Sequence, residues 1–308
     1  MDPSDNSAQC ERGRSMSDIF LIVNETAGSG RCKQMFQKAE VILKKKGVDY
    51  CAKFTKYPLH AMEIAREALK NNEKYIVAVG GDGTVNEVSS VLCGVEGVKM
   101  GILPFGTGND IAGALDLPQD EEKAVEVLVR GKTYDLDMGI ANDEHKFINV
   151  GGQGFDVDVL VNTDRFKKGR SGMAPYIMGL IKTIVHRKKI HARISSKEFS
   201  TEMDVLLIVV GNGTRFGGGM LATPNALTDD GKFDVCVVEY IGFFHMLALL
   251  PLFLKGKHVD KKPVHYFKTE QIRIETDGQY KIELDGEVMN GTPVEYRILP
   301  GAIKIVRK

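Results

Sequence analysis

Residues 77–88, Val-Ala-Val-Gly-Gly-Asp-Gly-Thr-Val-Asn-Glu-Val, constrain the fold of this chain more than any other stretch. An apolar strand runs into a glycine-dense turn that carries one acid, and the turn opens into a helical pattern. Glycine frees the backbone for positive φ and for close approach, and the N–H groups of the turn and first helical turn point at an anion. The spacing is neither the Gly-x-x-x-x-Gly-Lys-Ser/Thr phosphate loop nor the Gly-x-Gly-x-x-Gly dinucleotide fingerprint. A plain strand-to-helix turn would need glycine, but not Asp82, Thr84, Asn86 and Glu87 so close together.

Strand and helix patterns alternate around this turn. Residues 19–23 read as a buried strand, followed by Asn24-Glu25-Thr26-Ala27-Gly28-Ser29-Gly30 and by a helix over 32–46 that Gly47 closes. Strands are expected at 50–55, 75–79 and 99–103, and helices at 61–71, 85–93 and 121–130. Such alternation implies an α/β fold with a doubly wound parallel sheet, whose ligands bind beyond the carboxyl ends of the strands. The loops after the first, third and fourth strands share that edge; the last of them is Pro104-Phe105-Gly106-Thr107-Gly108-Asn109-Asp110.

After Asp137 the pattern changes to short alternating segments at 146–150, 189–195, 202–210, 232–239, 271–276, 280–284 and 294–299. They imply a β-rich, β-sandwich-like second domain, with helical insertions around 174–187 and 243–254. The expected division is an arm at 1–17, disordered or expression-derived with Met16 as a candidate initiator, then domains at 18–137 and 138–308. The last strand is free to return to the first domain.

Composition narrows the function classes. Lys+Arg 41 against Asp+Glu 41 gives a formal net charge of +0, which argues against nucleic acid as the partner. Five scattered cysteines without a Cys-x-x-Cys pair argue against a disulfide framework or structural zinc, and a reducing cytosol is expected. No secretory leader is legible at the start, and the longest apolar run, 241–254, is interrupted by Gly242, His245 and Pro251. A soluble or peripheral protein is expected.

The Gly80-Gly81-Asp82-Gly83-Thr84-Val85-Asn86-Glu87 motif, the loop 104–110 and the late Leu284-Asp285-Gly286-Glu287 together resemble the diacylglycerol kinase catalytic-domain family. The bacterial soluble lipid kinases look most similar, and the resemblance runs from about residue 19 to the last. It implies ATP as phosphoryl donor, with Gly81, Asp82, Gly83, Thr84, Val85, Asn86 and Glu87 around its phosphates, joined by Thr107. Asn24, Glu25, Thr26, Ala27 and Gly28 would flank the nucleotide, and Thr55 would contact it. Glu25 departs from the family pattern, which often has proline there.

Phosphoryl transfer needs alignment, charge neutralisation and an acceptor for the proton of the attacking hydroxyl. The resemblance implies that Asp82, Asp110 and Asp137 hold a catalytic Mg2+, partly through water, as suits a hard cation. Asp110 also reads as a helix cap and Asp137 as a turn acid. The proton acceptor is implied in the Asp285-Gly286-Glu287 motif, either carboxylate serving; the same residues read as a type I′ hairpin turn. Leu227-Thr228-Asp229-Asp230-Gly231-Lys232 resembles a second, structural magnesium site, formed by the Asp230 side chain and the Leu227 and Lys232 carbonyls. An ordinary Asp-Gly turn is the alternative.

The expected acceptor is diacylglycerol, giving phosphatidic acid; sphingoid base, ceramide, undecaprenol and phosphatidylglycerol are alternatives, followed by NAD kinase activity and a non-catalytic nucleotide- or lipid-binding regulator. Lys167, Lys168 and Arg170, Arg187 to Lys189, and Lys255, Lys257, Lys261 and Lys262 lie beside apolar helical segments. They suggest docking at the anionic inner face of a membrane, although solvated helix ends carry the same pattern. A homodimer is a common arrangement for such proteins.

Overall fold

The computed structural model describes residues 18–166, 182–183, 188–217 and 219–308. The expected arm at 1–17, most of the expected helix at 174–187 and the cations Lys167, Lys168, Arg170 and Arg187 lie outside the described residues. The chain forms two compact units, 18–136 with 301–308 and 137–300. It passes between them within β5 (Lys132–Ala141) and β15 (Val294–Arg307).

The first unit is built on parallel strands β1 (Ile19–Val23), β2 (Tyr50–Phe54), β3 (Tyr75–Gly80) and β4 (Lys99–Pro104), ordered β4-β3-β1-β2. The end of β15 adds in parallel beside β4, with Lys304 opposite Lys99. Every residue of β1 and β3 is buried, which accounts for their unbroken apolar runs: a parallel sheet is covered on both faces.

Helices α1 (Arg31–Lys45), α2 (His60–Lys70), α3 (Asp82–Leu92), α4 (Asp110–Ala114) and α5 (Glu121–Arg130) complete this unit. The β1-to-β2 crossover runs in the opposite direction to the next two, so right-handed connections put α1 on one face and α2 and α3 on the other. Accordingly α1 packs with α5, and α2 with α3. In α2, Ala61, Ile64, Ala65 and Ala68 form the buried stripe at helical spacing. Asp120 caps α5 by accepting from Lys123 N at 3.0 Å.

The second unit contains β6 (His145–Phe147), β7 (Val150–Gly154), β8 (Ile190–Ser196), β9 (Ser200–Gly211), β10 (Phe233–Glu239), β11 (Val264–Thr269), β12 (Gln271–Thr276), β13 (Lys281–Leu284) and β14 (Glu287–Asn290). Its sheet order is β14-β13-β7-β9-β8-β12-β15, and β10 also pairs with β9 and carries β11. Phe147 stacks on Phe233 at 5.7 Å and meets Tyr296 edge-on at 5.9 Å, all three rings being fully buried.

Two helices, α6 (Phe155–Phe166) and α7 (Phe243–Leu254), join this unit. Apart from His245 the α7 sequence is apolar: Met246, Leu249 and Phe253 are buried, whereas Phe244 is 83% exposed and Leu247 and Leu254 are also exposed. Among the described residues no helix is long and apolar enough to cross a membrane.

Cys32, Cys93 and Cys236 are free, and burial pushes the thiols of Cys32 and Cys236 up to about 12.

Candidate active site

In the first unit, the loops that leave β1, β3 and β4 meet backbone against backbone. A Cβ on Gly106 would fall 2.3 Å from Gly81 Cα, and one on Gly28 would fall 3.0 Å from the Phe105 carbonyl oxygen. Neither Gly80, Gly81 nor Gly83 has a positive φ, contrary to the sequence expectation. At 80 and 81 the need is for space: a Cβ on Gly80 would strike Thr84 Oγ1 at 2.7 Å, and Gly81 faces Gly106.

Side chains tie the loops together. Asn24 N donates to Val79 O at 2.9 Å, and Asn24 Nδ2 donates to Thr84 Oγ1 at 3.1 Å. Thr26 N and Oγ1 donate back to Asn24 Oδ1. Thr55 N donates to Val23 O, which places Thr55 at the same sheet edge. In the loop after β4, Gly106 N donates to Asn109 Oδ1 at 3.0 Å; Asn109 is buried, with φ +55°.

The first helical turn of α3 starts at Gly81 with no side chain of its own capping it, and at the start of α4 the Asn109 side chain likewise makes no cap, the Ile111 N–H being taken by Asp82 instead. Both N-termini carry the partial positive charge of unpaired N–H groups. Asp82 is the first residue of α3 and Asp110 the first of α4. Asp82 Oδ1 accepts from Ile111 N at 3.0 Å, which locks the two helix starts together. A Cβ on Gly108 would lie 3.1 Å from Asp82 Oδ2 and 3.7 Å from Asp110 Oδ2, so the two carboxylates lie close together beside Gly108. Among the described residues no group of three or more His, Cys, Asp or Glu side chains is gathered to hold a metal ion, so these two acids would need phosphate oxygens or water to complete a magnesium shell.

The other residues named from the sequence divide between this rim and its support. Gly83 and Thr107 are exposed and Asn86 half-buried, whereas Val85 and Thr84 are buried at 2% and 4% exposure. Ala27 sits half-buried in the short 3-10 turn Ala27–Gly30. Glu25 pairs with Lys33 at 3.4 Å, which turns its charge outward along α1. Glu87 accepts from Leu59 N at 3.3 Å and from Ala61 N at 3.0 Å, capping the start of α2. That carboxylate is engaged in structure, where the sequence suggested a nucleotide contact.

In the second unit, Asp285 and Gly286 form the two-residue turn between β13 and β14, with φ +49° and +88° and Leu284 opposite Glu287. This is the type I′ hairpin that Asp-Gly favours. Asp285 Oδ2 accepts from Ile148 N at 2.7 Å, and Oδ1 accepts from Asn149 N at 3.0 Å and Val150 N at 2.9 Å. Buried Glu283 accepts from Gly286 N at 2.8 Å. Glu287 is exposed.

Asp137 is 1% exposed; its N–H donates to Thr228 O at 2.8 Å and its Oδ2 accepts from Gly231 N at 2.7 Å. Asp230 Oδ1 accepts from Lys232 N, while Oδ2 pairs with Lys268 at 2.6 Å; Leu227 is 55% exposed. Burial alone would lower the Lys268 pKa, but Asp230 and Asp234 outweigh it and the net shift is upward. An ammonium thus occupies the side-chain ligand expected for the structural ion, and the turn does not fit that ion.

Sequence reading missed Lys268, the Glu87 cap and the Asn109 brace. Lys268 lies 38 residues beyond Asp230 and carries no local signal. Asn109 stood inside a motif, where its spacing of three from Gly106 was a legible turn signature.

The family description "Diacylglycerol kinase catalytic domain" matches residues 18–141, and "YegS C-terminal NAD kinase beta sandwich-like domain" matches 149–307. A relative from Klebsiella pneumoniae (strain 342), "Probable lipid kinase YegS-like", is 30% identical over 92% of this chain and 94% of its own length. "Probable lipid kinase YegS" of Salmonella typhimurium is 30% identical over 92% and 94%. A crystal structure from Bacillus anthracis str. Sterne, described as a "putative diacylglycerol kinase", superposes with TM-score 0.80 at 27% identity, covering 96% of this chain and 99% of that one. The chain belongs to the diacylglycerol kinase catalytic-domain family of lipid kinases, with the YegS-type β-rich domain as its second half.

Proposed function

We propose that the protein transfers the γ-phosphoryl group of ATP to the hydroxyl of a membrane lipid, with diacylglycerol as acceptor and phosphatidic acid as product. The observation that carries this reading is the meeting of three glycine loops around Gly28, Gly81 and Gly106, with oxygens of Asp82 and Asp110 facing Gly108. The N–H groups at the starts of α3 and α4 suit phosphate oxygens, and the missing Cβ atoms let phosphates approach the backbone. Asp82 and Asp110 would hold magnesium, which when bound spreads the charge of the transferring phosphoryl group.

Asp82 has a second duty, because its Oδ1 fixes the start of α4 and so orients both helix termini. In the transfer itself, the lipid hydroxyl oxygen bonds to the γ-phosphorus as the bond to the β,γ-bridging oxygen breaks. The hydroxyl proton passes to a carboxylate. We assign that role to Glu287, because it is exposed while Asp285, in the hairpin turn, is held by the N–H groups of Ile148, Asn149 and Val150. Asp137 is proposed as a further acid of the metal site.

Access to lipid is proposed through α7. Its exposed Phe244, Leu247 and Leu254 stand beside Lys255, Lys257, Lys261 and Lys262, an apolar face flanked by cations that suits an anionic membrane surface at the inner, cytoplasmic side. Co-sedimentation with phosphatidylglycerol vesicles tests the docking: binding at low salt that Phe244→Glu weakens is expected, and absence of binding contradicts it. The acceptor is tested with γ-labelled ATP against diacylglycerol, sphingosine, ceramide, undecaprenol, phosphatidylglycerol and NAD. Label in phosphatidic acid supports the assignment, and label in another lipid or in NADP redirects it.

A further inference from the structure

Strand pairing places Lys268 of β11 directly opposite Asp234 of β10. From there its Nζ reaches Asp234 Oδ2 at 3.2 Å and Asp230 Oδ2 at 2.6 Å, so one ammonium bridges two carboxylates. Asp234 is fully buried and neither of its carboxylate oxygens has a hydrogen-bond partner among the described residues, so the Lys268 ammonium is the charge that faces it. The second oxygen of Asp230 is taken by Lys232 N at 3.1 Å. A divalent cation on this turn would therefore sit against the Lys268 ammonium, and like charges at contact distance repel.

We propose that Lys268 replaces the divalent cation at this turn, so that the turn 227–232 is held by an internal ammonium and is independent of metal. The lysine neutralises the same carboxylate that a structural ion would use, but arrives already attached to the neighbouring strand. The consequence reaches the third candidate acid. The turn grips Asp137 at both ends, since Thr228 O accepts from Asp137 N at 2.8 Å and Gly231 N donates to Asp137 Oδ2 at 2.7 Å. Lys268 is thus a positioning residue for Asp137, acting through Asp230 and Gly231; only the catalytic value of that placement rests on the proposed kinase reading.

The experiment counts ions in the absence of nucleotide. Calorimetric titration with Mg2+ and Mn2+, and thermal melting with and without EDTA, are compared for the full chain and for Asp230→Asn, Lys268→Met, Lys268→Arg and Lys268→Met/Asp230→Asn. The full chain and Asp230→Asn are expected to bind the same number of ions, and removal of divalent ions leaves the melting temperature of the full chain unchanged. Lys268→Met gains one ion that the double variant loses, melts lower in EDTA and recovers with Mg2+, while Lys268→Arg behaves like the parent. Loss of a bound ion on Asp230→Asn in the otherwise native chain overturns the proposal, as does a Lys268→Met protein that gains none. If Lys268→Met fails to fold, the comparison of the full chain with Asp230→Asn decides alone. No kinase turnover enters these readouts, so an inactive protein would refute the proposed function and leave this inference standing.

Discussion

Gly106 and Gly81 are in backbone contact, so close that a Cβ on Gly106 would lie 2.3 Å from Gly81 Cα and 2.7 Å from Asn109 Oδ1. No side chain rearrangement can relieve the first clash, because its partner is main chain. Gly106→Ala should therefore push the second loop off the first, with a loss of about 1–3 kcal/mol of stability by overpacking and a larger loss of nucleotide affinity. Chemical denaturation and ATP-binding calorimetry check it; a variant with unchanged affinity would show that the loop contact does not shape the nucleotide site.

The two carboxylates of the hairpin region should separate by variant. Glu287→Gln is expected to leave folding and ATP affinity intact while lowering kcat by about 10²–10⁴. Asp285→Ala strands the N–H groups of Ile148, Asn149 and Val150 and should cost at least about 1–3 kcal/mol. Paired urea titrations and steady-state kinetics distinguish the two; a Glu287→Gln enzyme with normal kcat would remove Glu287 from the reaction.

Glu87→Gln probes support without chemistry. The variant loses charge at the start of α2 but keeps an oxygen for Leu59 N or Ala61 N, so stability should fall by about 0.3–1 kcal/mol with little change in KM for ATP. A KM rise of tenfold or more at unchanged stability would return Glu87 to the nucleotide contacts.

Two histidines should respond to pH with opposite sign. Burial pushes the His258 imidazole below its ordinary 6.5, with Nε2 held by Ala222 O at 3.0 Å. Its contribution is therefore present above about 6.5 and is lost as pH falls through the lower folded value. His191 is raised by hydrogen bonds to Glu202 and Asp204, so its contribution is present below 6.5 and lost as pH rises through the higher folded value. His191 is solvated, and screening keeps its effect small. Imidazole NMR titration should place the His191 midpoint above 6.5 and that of His258 below it; the reverse order would contradict the packing around α7.

Much of the fold was legible because its signals are local. The apolar runs of β1 and β3 and the Ala61, Ile64, Ala65, Ala68 stripe of α2 state their own periods. α6 was not legible: Phe155-Asp156-Val157-Asp158-Val159 alternates with the period of a strand, yet the chain is helical there. β11 was missed because Val264-His265-Tyr266-Phe267 has no clean polar alternation. At the site, the glycine loops were visible as motifs, but the reason for their glycines was not. Gly28 has a positive φ, but Gly80, Gly81, Gly83 and Gly106 do not, and there the constraint comes from another loop 25 residues away in sequence, at Gly106 against Gly81. The Lys268 bridge is invisible for the same reason, since only the β10–β11 register brings it to Asp234.

Asp82 and Asp110 are proposed to act as one metal-holding pair at the meeting of the glycine loops. Single-turnover transfer from γ-labelled ATP to diacylglycerol in mixed micelles, across a Mg2+ titration, tests it most directly with the full chain, Asp82→Asn and Asp110→Asn. Mg2+-dependent label in phosphatidic acid is expected from the full chain, with transfer at least about a hundredfold slower from each folded variant, as for loss of an electrostatic partner of the transition state. Undiminished transfer by either variant would contradict it.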